Sequence, residues 1–334
     1  MADAIRVAAI EVSHWHSLYD AAYLRLLAGM EDVRLVGLHD PDGAIATERA
    51  AALGGPPAFT DYHVMLDKTR PDFVVALGQH ARMAETAHYL LDHEHAFMME
   101  KPMGVRAAEV EAIAAKAAAK RAFVAVPLSQ RYQPFVKRAR HMLAEGRFGP
   151  LSHLYFRLNR PTSARYPAWG SPWMLDPALA GGGCLRNLGS HGFDLFLHLT
   201  GEAARVTAAQ LSARVHGQRV EDYASVLLRS PSGILGTIEV GNTVPYAGTD
   251  GEWKVAGRDA ILILHHDDTL RVITRDGEET LKEQPPALYP DCVRDILAHF
   301  RRGLPPPISV HDLVPVARLI DEAYALAADP EPRW

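Results

Sequence analysis

Cysteine is scarce in this 334-residue chain, with only Cys184 and Cys292. There is no C-x-x-C pair for a metal or a redox couple, and two separate thiols suit a reducing compartment. Basic charge is not in excess: 35 Lys and Arg stand against 40 Asp and Glu, a net charge of −5. Such a chain has no basic field for nucleic acid, so none is expected as a partner. Apolar runs long enough to span a membrane are missing. The opening MADAIRV lacks the cationic-then-apolar order of a secretory leader. The expectation is a cytoplasmic protein. Repeats and low-complexity linkers are absent, and the short HHDD turn at His265–Asp268 is too small and exposed to suggest a metal.

What is present is an alternation of elements. Short apolar runs at Ile5–Ile10, Val33–His39, Phe73–Leu77, Ala96–Met99 and Phe123–Val126 read as buried strands. Helical stretches lie between them at Leu18–Leu27, Ala44–Leu53, Arg82–Leu91 and the Ala-rich Ala107–Lys120. This order predicts a doubly wound parallel sheet of the Rossmann kind over residues 1–124, with ligands at the carboxyl ends of its strands. Residues 125–334 read differently. An amphipathic helix within QRYQPFVKRARHMLAEGRFGP precedes several strand signals without long helices, then a last helix near Asp312–Leu326. That is an α+β domain with an open, mostly antiparallel sheet.

Glycine is locally absent where it matters most. In AAIEVSHWHSLYD the first strand gives way to a helix signal, the place where G-x-G-x-x-G cradles a pyrophosphate. The three glycine positions hold Glu11, Ser13 and His16. By itself this turn leaves dinucleotide binding open. Asp40 ends the second strand 24 positions after His16, close to the ~20 expected of an acid on adenosine ribose hydroxyls. No Lys or Arg follows it closely, which favours NAD over NADP; a plain turn aspartate before Pro41 is the alternative.

Two further constellations carry chemistry. AFMMEKPMG brings Glu100 and Lys101 to the end of a strand, where Lys101 can hold a substrate hydroxyl. A surface ion pair is weak as an alternative, because neighbours on a strand point to opposite faces. In GGGCLRNLGSHGFDLFLHLTG, read as one helix from Leu185, Asn187, His191, Asp194 and His198 share a face. A histidine there suits acid–base work near neutral pH, and a solvated polar face is the competing reading.

Together these stretches resemble the Gfo/Idh/MocA family, named for glucose–fructose oxidoreductase, inositol dehydrogenase and a rhizopine-catabolism protein. The resemblance rests on Glu100-Lys101-Pro102, the glycine run before NLGSHGFD, QRYQP, and PPPISVHDLVPVARLIDEAY. It implies an NAD- or NADP-dependent oxidoreductase acting on a CH–OH carbon of a sugar or cyclitol. Lys101 would be the active-site lysine and His191 the acceptor of the hydroxyl proton. Asn187 stands where the family has aspartate, keeping hydrogen bonding but not charge. Gly78-Gln79 replaces a usual Thr-Pro. Ser13, His14, Trp15, Asp40, Gly78 and Glu100 are the implied cofactor contacts. Asn159, Arg160, Trp173, Asp194 and Tyr246 are the implied substrate contacts, with Arg165, Asp176 and Tyr289 nearby in the same scheme. The family's open sheet implies a homodimer or homotetramer. Two other functions fit the same residues: a glycosidase or lyase that recycles bound NAD, and a non-catalytic ligand-binding relative.

Overall fold

The computed structural model of the protein describes residues 4–282 and 287–327. Its helices are α1 (Tyr23–Ala28), α2 (Gly43–Ala51), α3 (Tyr62–Thr69), α4 (His80–Asp92), α5 (Ala107–Lys120), α6 (Pro134–Ala144), α7 (Arg165–Ala168), α8 (Pro177–Ala180), α9 (Ser190–Thr200), α10 (Leu288–Arg301) and α11 (Val310–Ala327). Two compact units form. The first runs to Pro127 and takes in Ala164–Gly181 and Tyr289–Val314; the second comprises Leu128–Ser163, Gly182–Leu288 and the chain from Pro315 on. Where the sequence suggested one boundary at 124/125, the chain leaves each unit and returns to it.

The first unit holds β1 (Ile5–Ile10), β2 (Val33–His39), β3 (Ala58–Phe59), β4 (Phe73–Ala76), β5 (Phe97–Met99) and β6 (Val124–Ala125). They form one parallel sheet in the order β3-β2-β1-β4-β5-β6. β4 and β5 are wholly buried, as continuous apolar runs demand. The order reverses between β1 and β4, which puts the ligand crevice beside the end of β1. β3 and α3 carry little sequence signal. β3 is two residues long, and α3 buries only Met65, Leu66 and Thr69.

One helix differs from expectation. Leu18–Leu27 does not form; α1 begins only at Tyr23, and residues 12–22 are a succession of turns. Asp20 and Ala22 take left-handed φ values of 40° and 48°, which interrupt any right-handed helical path.

The second unit carries β7 (Leu151–Pro161), β8 (Arg205–Ser212), β9 (Tyr223–Arg229), β10 (Leu235–Val244), β11 (Asp250–Gly257), β12 (Ala260–His265), β13 (Thr269–Thr274) and β14 (Gly277–Lys282). The sheet order is β14-β13-β12-β11-β7-β10-β9-β8, antiparallel except for β7 beside β10. α9 lies close on the sheet because Gly192 has no side chain; a Cβ there would come within 2.8 Å of Phe156 and Ile238. The opposite face keeps polar pairs such as Tyr155 with Glu239 and Arg157 with Asp250. Among the described residues no helix is long and apolar enough to cross a membrane.

Candidate active site

The turn after β1 is built around carboxylates. Glu11 adopts a left-handed φ of 55°. Its backbone N–H donates to His39 Nδ1 at 3.3 Å, and its carboxylate accepts the Gln79 N–H at 3.0 Å. The carboxylate rests on Gly78, whose φ is 115°; a Cβ at Gly78 would stand 2.8 Å from Glu11 Oε2. The close approach that glycine ordinarily gives to β1 has thus moved to the end of β4. Burial raises the pKa of Glu11, against the Gln79 N–H and Arg82.

Asp40 turns into the same loop. One oxygen accepts the Ser13 N–H at 2.7 Å and the other the Asp42 N–H at 3.1 Å. The His14 N–H is spent on the Glu11 carbonyl and the Ser17 N–H on the His14 carbonyl. His14 Nδ1 accepts the His16 N–H at 3.1 Å, and its ring stacks on Trp15 at 3.9 Å. Trp15 is buried with Tyr166, Trp173, Met174 and Ala180. Ser171 Oγ donates to the Ser13 carbonyl at 3.2 Å. Trp173, expected beside substrate, is therefore part of the packing over the β1 turn. No local signal assigns Ala164–Gly181 to the first unit, since the partners are some 150 positions apart.

At the end of β5 sits a buried charge network. Glu100 Oε1 accepts from His16 Nδ1 at 2.8 Å and from the Tyr23 hydroxyl at 2.5 Å. His16 Nε2 reaches Asp20 at 3.4 Å. Burial alone would raise the Glu100 pKa, but His16 overrides it and holds the carboxyl well below its usual range. Burial alone would lower His16, yet Glu100 and Asp20 outweigh it and raise its pKa. Lys101, 3% exposed, is pulled down by burial while Glu100 and Asp20 oppose. His16 thus does not merely crowd the third glycine position; it supplies the cation that Glu100 needs. Tyr289 packs on both His16 and Tyr23.

In the second unit, Leu185–Gly189 is a π-helix that runs into α9, so the expected single regular helix is wound in two ways. π-Helical turns recur at functional sites. Asn187 lies on the π turn and His191 in the first turn of α9, both buried. Glu221 anchors this start: it accepts the Gly183 and Leu185 N–H groups, at 2.8 Å and 2.9 Å, and the Tyr324 hydroxyl at 2.7 Å. Gly183 must be glycine, because a Cβ there would fall 2.2 Å from the Glu221 carbonyl. No spacing or motif singles out Glu221 in the sequence.

Other expected substrate residues have protein partners. Asp194 is gripped by Arg131, with Nη2 at 2.6 Å and Nε at 3.0 Å from its oxygens. Asn159 donates to Thr243 Oγ1 and accepts the Thr243 N–H, both at 2.9 Å. Arg160 is half-buried in β7, and Tyr246 is 62% exposed beyond β10.

Two family models match the chain. One, described as an oxidoreductase family NAD-binding Rossmann fold, covers residues 16–127. The other, described as a GFO/IDH/MocA C-terminal domain, covers residues 136–263. The chain belongs to the Gfo/Idh/MocA oxidoreductase family. Trans-1,2-dihydrobenzene-1,2-diol dehydrogenase of Mus musculus is 28% identical over 214 residues, covering 62% of this chain and 61% of the relative's length. An inositol dehydrogenase homolog from Azotobacter vinelandii, complexed with NAD+, superposes with a TM-score of 0.85 at 18% identity, covering 99% of this chain and 97% of the other. Levoglucosan dehydrogenase, in complex with NADH and levoglucosan, superposes with a TM-score of 0.83 at 19% identity, covering 98% of each chain. These structures share the fold.

Membership raises the question whether the residues present fit a dinucleotide. Beside the ends of β1, β2 and β3, against α3 and α4, lies a cavity of about 400 Å³ lined by Glu11, Pro41, Thr60, Asp61, Arg82 and Glu85, among others. Its place and polarity fit the adenosine half. Asp40, expected on the ribose, does not line it; its neighbours His39 and Pro41 do. The pyrophosphate half meets no ordinary cradle, because no helix starts at the turn and its Ser13 and His14 N–H groups are already bonded. The Rossmann family match also begins at residue 16, downstream of Glu11–Trp15.

Proposed function

We propose that this chain is an NAD-dependent oxidoreductase acting on a CH–OH carbon of a sugar, cyclitol or related polyol. The observation that carries the reading is Lys101, a buried ammonium held beside an ionised Glu100. An exposed structural lysine needs no such setting.

Lys101 would donate a hydrogen bond to the substrate hydroxyl and favour its loss of a proton. His191 would receive that proton, and Asn187 would orient the substrate without adding charge. NAD, when bound, supplies the nicotinamide that accepts the hydride or returns it. Its adenosine would rest against Pro41 and Thr60. Glu11, Asp61 and Glu85 outnumber Arg82 around that cavity, which disfavours a ribose phosphate and selects NAD over NADP. The partner is a small polar molecule rather than nucleic acid or membrane. A cytoplasmic homodimer or homotetramer completes the proposal, checked by fractionation and light scattering.

The test is a polyol screen with NAD, followed by Lys101→Ala. Loss of turnover by about 10²-fold or more is expected of a group that assists proton transfer. Unchanged turnover removes Lys101 from the mechanism. The closed β1 turn favours one second reading, a non-catalytic ligand-binding relative. Saturable NADH binding, weaker for NADPH, together with oxidation of a polyol counts against it; no binding of either nucleotide would sink the NAD-dependent reading and favour it.

A further inference from the structure

His14 stands out among the buried groups of the first unit. Its Nδ1 accepts the His16 backbone N–H, which fixes the tautomer: the proton of a neutral imidazole must sit on Nε2. That Nε2 is buried, in a side chain 1% exposed, and meets no hydrogen-bond partner among the described residues. A buried donor left unsatisfied keeps its full desolvation penalty and calls for an explanation. The ring stacks on Trp15 at 3.9 Å and lies 5.9 Å from Trp173, so it is packed between two indoles.

His14 lies against the charge network at the end of β5: its ring centroid is 5.2 Å from that of His16, whose Nδ1 is 2.8 Å from Glu100 Oε1, and Glu100 precedes Lys101 in the chain. Burial and the neighbouring His16 lower its pKa well below the ordinary value, so the imidazole is neutral. A neutral imidazole N–H is a donor that polarises an oxygen without surrendering its proton. Resting on the oxidoreductase reading above, we propose that His14 Nε2–H is a second hydrogen-bond donor to the substrate oxygen that Lys101 serves. The ligand class is a neutral carbinol or its carbonyl, because a donor pair of one ammonium and one neutral N–H matches one oxygen with two lone pairs.

The full chain with ¹⁵N-labelled histidines tests this by imidazole NMR, with His14→Phe or His14→Gln assigning the resonance. Glycerol, myo-inositol and levoglucosan serve as probes. His14 is expected as the neutral Nε2–H tautomer at neutral pH, because burial disfavours its charged form. At least one probe should move the Nε2–H resonance. His14→Phe should weaken that probe about tenfold while His14→Gln, which keeps a donor, loses far less. An Nδ1–H tautomer, a protonated imidazole at neutral pH, or a resonance unmoved by every probe overturns the proposal. If a probe moves the resonance and is never oxidised with NAD or NADP, the oxidoreductase reading falls and the donor stands. If a probe is oxidised while His14 is unmoved and His14→Gln has wild-type kcat and KM, the donor falls and the oxidoreductase stands.

Discussion

Asp40 Oδ2 accepts the backbone N–H of Ser13 at 2.7 Å, across 27 positions of sequence. A carboxylate that ends one strand thereby holds the turn that ends its neighbour, taking the N–H expected to meet a phosphate. Asp40→Ala should destabilise the protein by roughly 1 kcal/mol, since two backbone N–H groups in part-buried hydrogen bonds lose their acceptor. Urea unfolding measures this. If Asp40 instead grips a ribose, the substitution would change the NADH-to-NADPH affinity ratio and leave the unfolding midpoint in place.

Glu11 makes a different prediction. Its folded pKa is raised by burial, so its ionised form works against the fold once the pH exceeds the unfolded value near 4.5. Glu11→Gln keeps an acceptor for the Gln79 N–H and removes the charge. The variant should be more stable than the parent at pH 7, and equally stable near pH 3, where the carboxyl of the parent is protonated. Tighter NADH binding should accompany it, because an anion beside the phosphates is gone. Thermal melts at the two pH values and a fluorescence titration are the checks.

The Arg131–Asp194 pair concerns stability in the second unit. Both side chains are largely buried, and Arg131 meets Asp194 with two nitrogens. Arg131→Met should cost about 3–5 kcal/mol by leaving Asp194 without its cation. Arg131→Met combined with Asp194→Leu should recover most of that loss. A polyol KM unchanged in the double variant would assign Asp194 to the fold; a large rise in KM would return it to the substrate.

His16 and Glu100 set a pH window. Glu100, depressed in the fold, contributes stability that is present above its unfolded value near 4.5 and is lost as the pH falls through the depressed folded value. His16, raised in the fold, contributes below its unfolded value near 6.5 and loses that contribution as the pH rises through the raised folded value. The pair is therefore fully effective from about pH 4.5 to 6.5 and weakens on the alkaline side. Melting temperature against pH should show that alkaline decline, and His16→Gln should flatten it. A decline that survives in His16→Gln belongs to some other group.

Much of this molecule is written locally. β1 and β2 end where their apolar runs end, and α5 spans the Ala-rich stretch residue for residue. Lys101 and His191 stand in short motifs that read without a structure. What did not read locally rests on long-range partners. The turns over residues 12–22 contain ordinary helix-compatible residues; Asp40, Glu100 and the aromatic side chains beyond residue 164 pull them off the helical path. Glu221 is one acid among many until its carboxylate is seen on the Gly183 and Leu185 N–H groups. The π-helix has no periodic signature of its own, since its five residues suit an α-helix equally well.

The recruitment of Ala164–Gly181 into the first unit has a consequence for how the protein comes to be made. Trp15 leaves the ribosome long before Tyr166, Trp173 and Met174, the side chains that cover it. Contacts that close so large a loop form slowly, because chain entropy is lost before they repay it. A nascent chain holding only the first six strands therefore presents bare indole at its nucleotide turn, and a fragment cut near residue 124 would keep that sticky surface permanently. Chaperone dependence and aggregation of such a fragment are built into the order in which its own cover is synthesised.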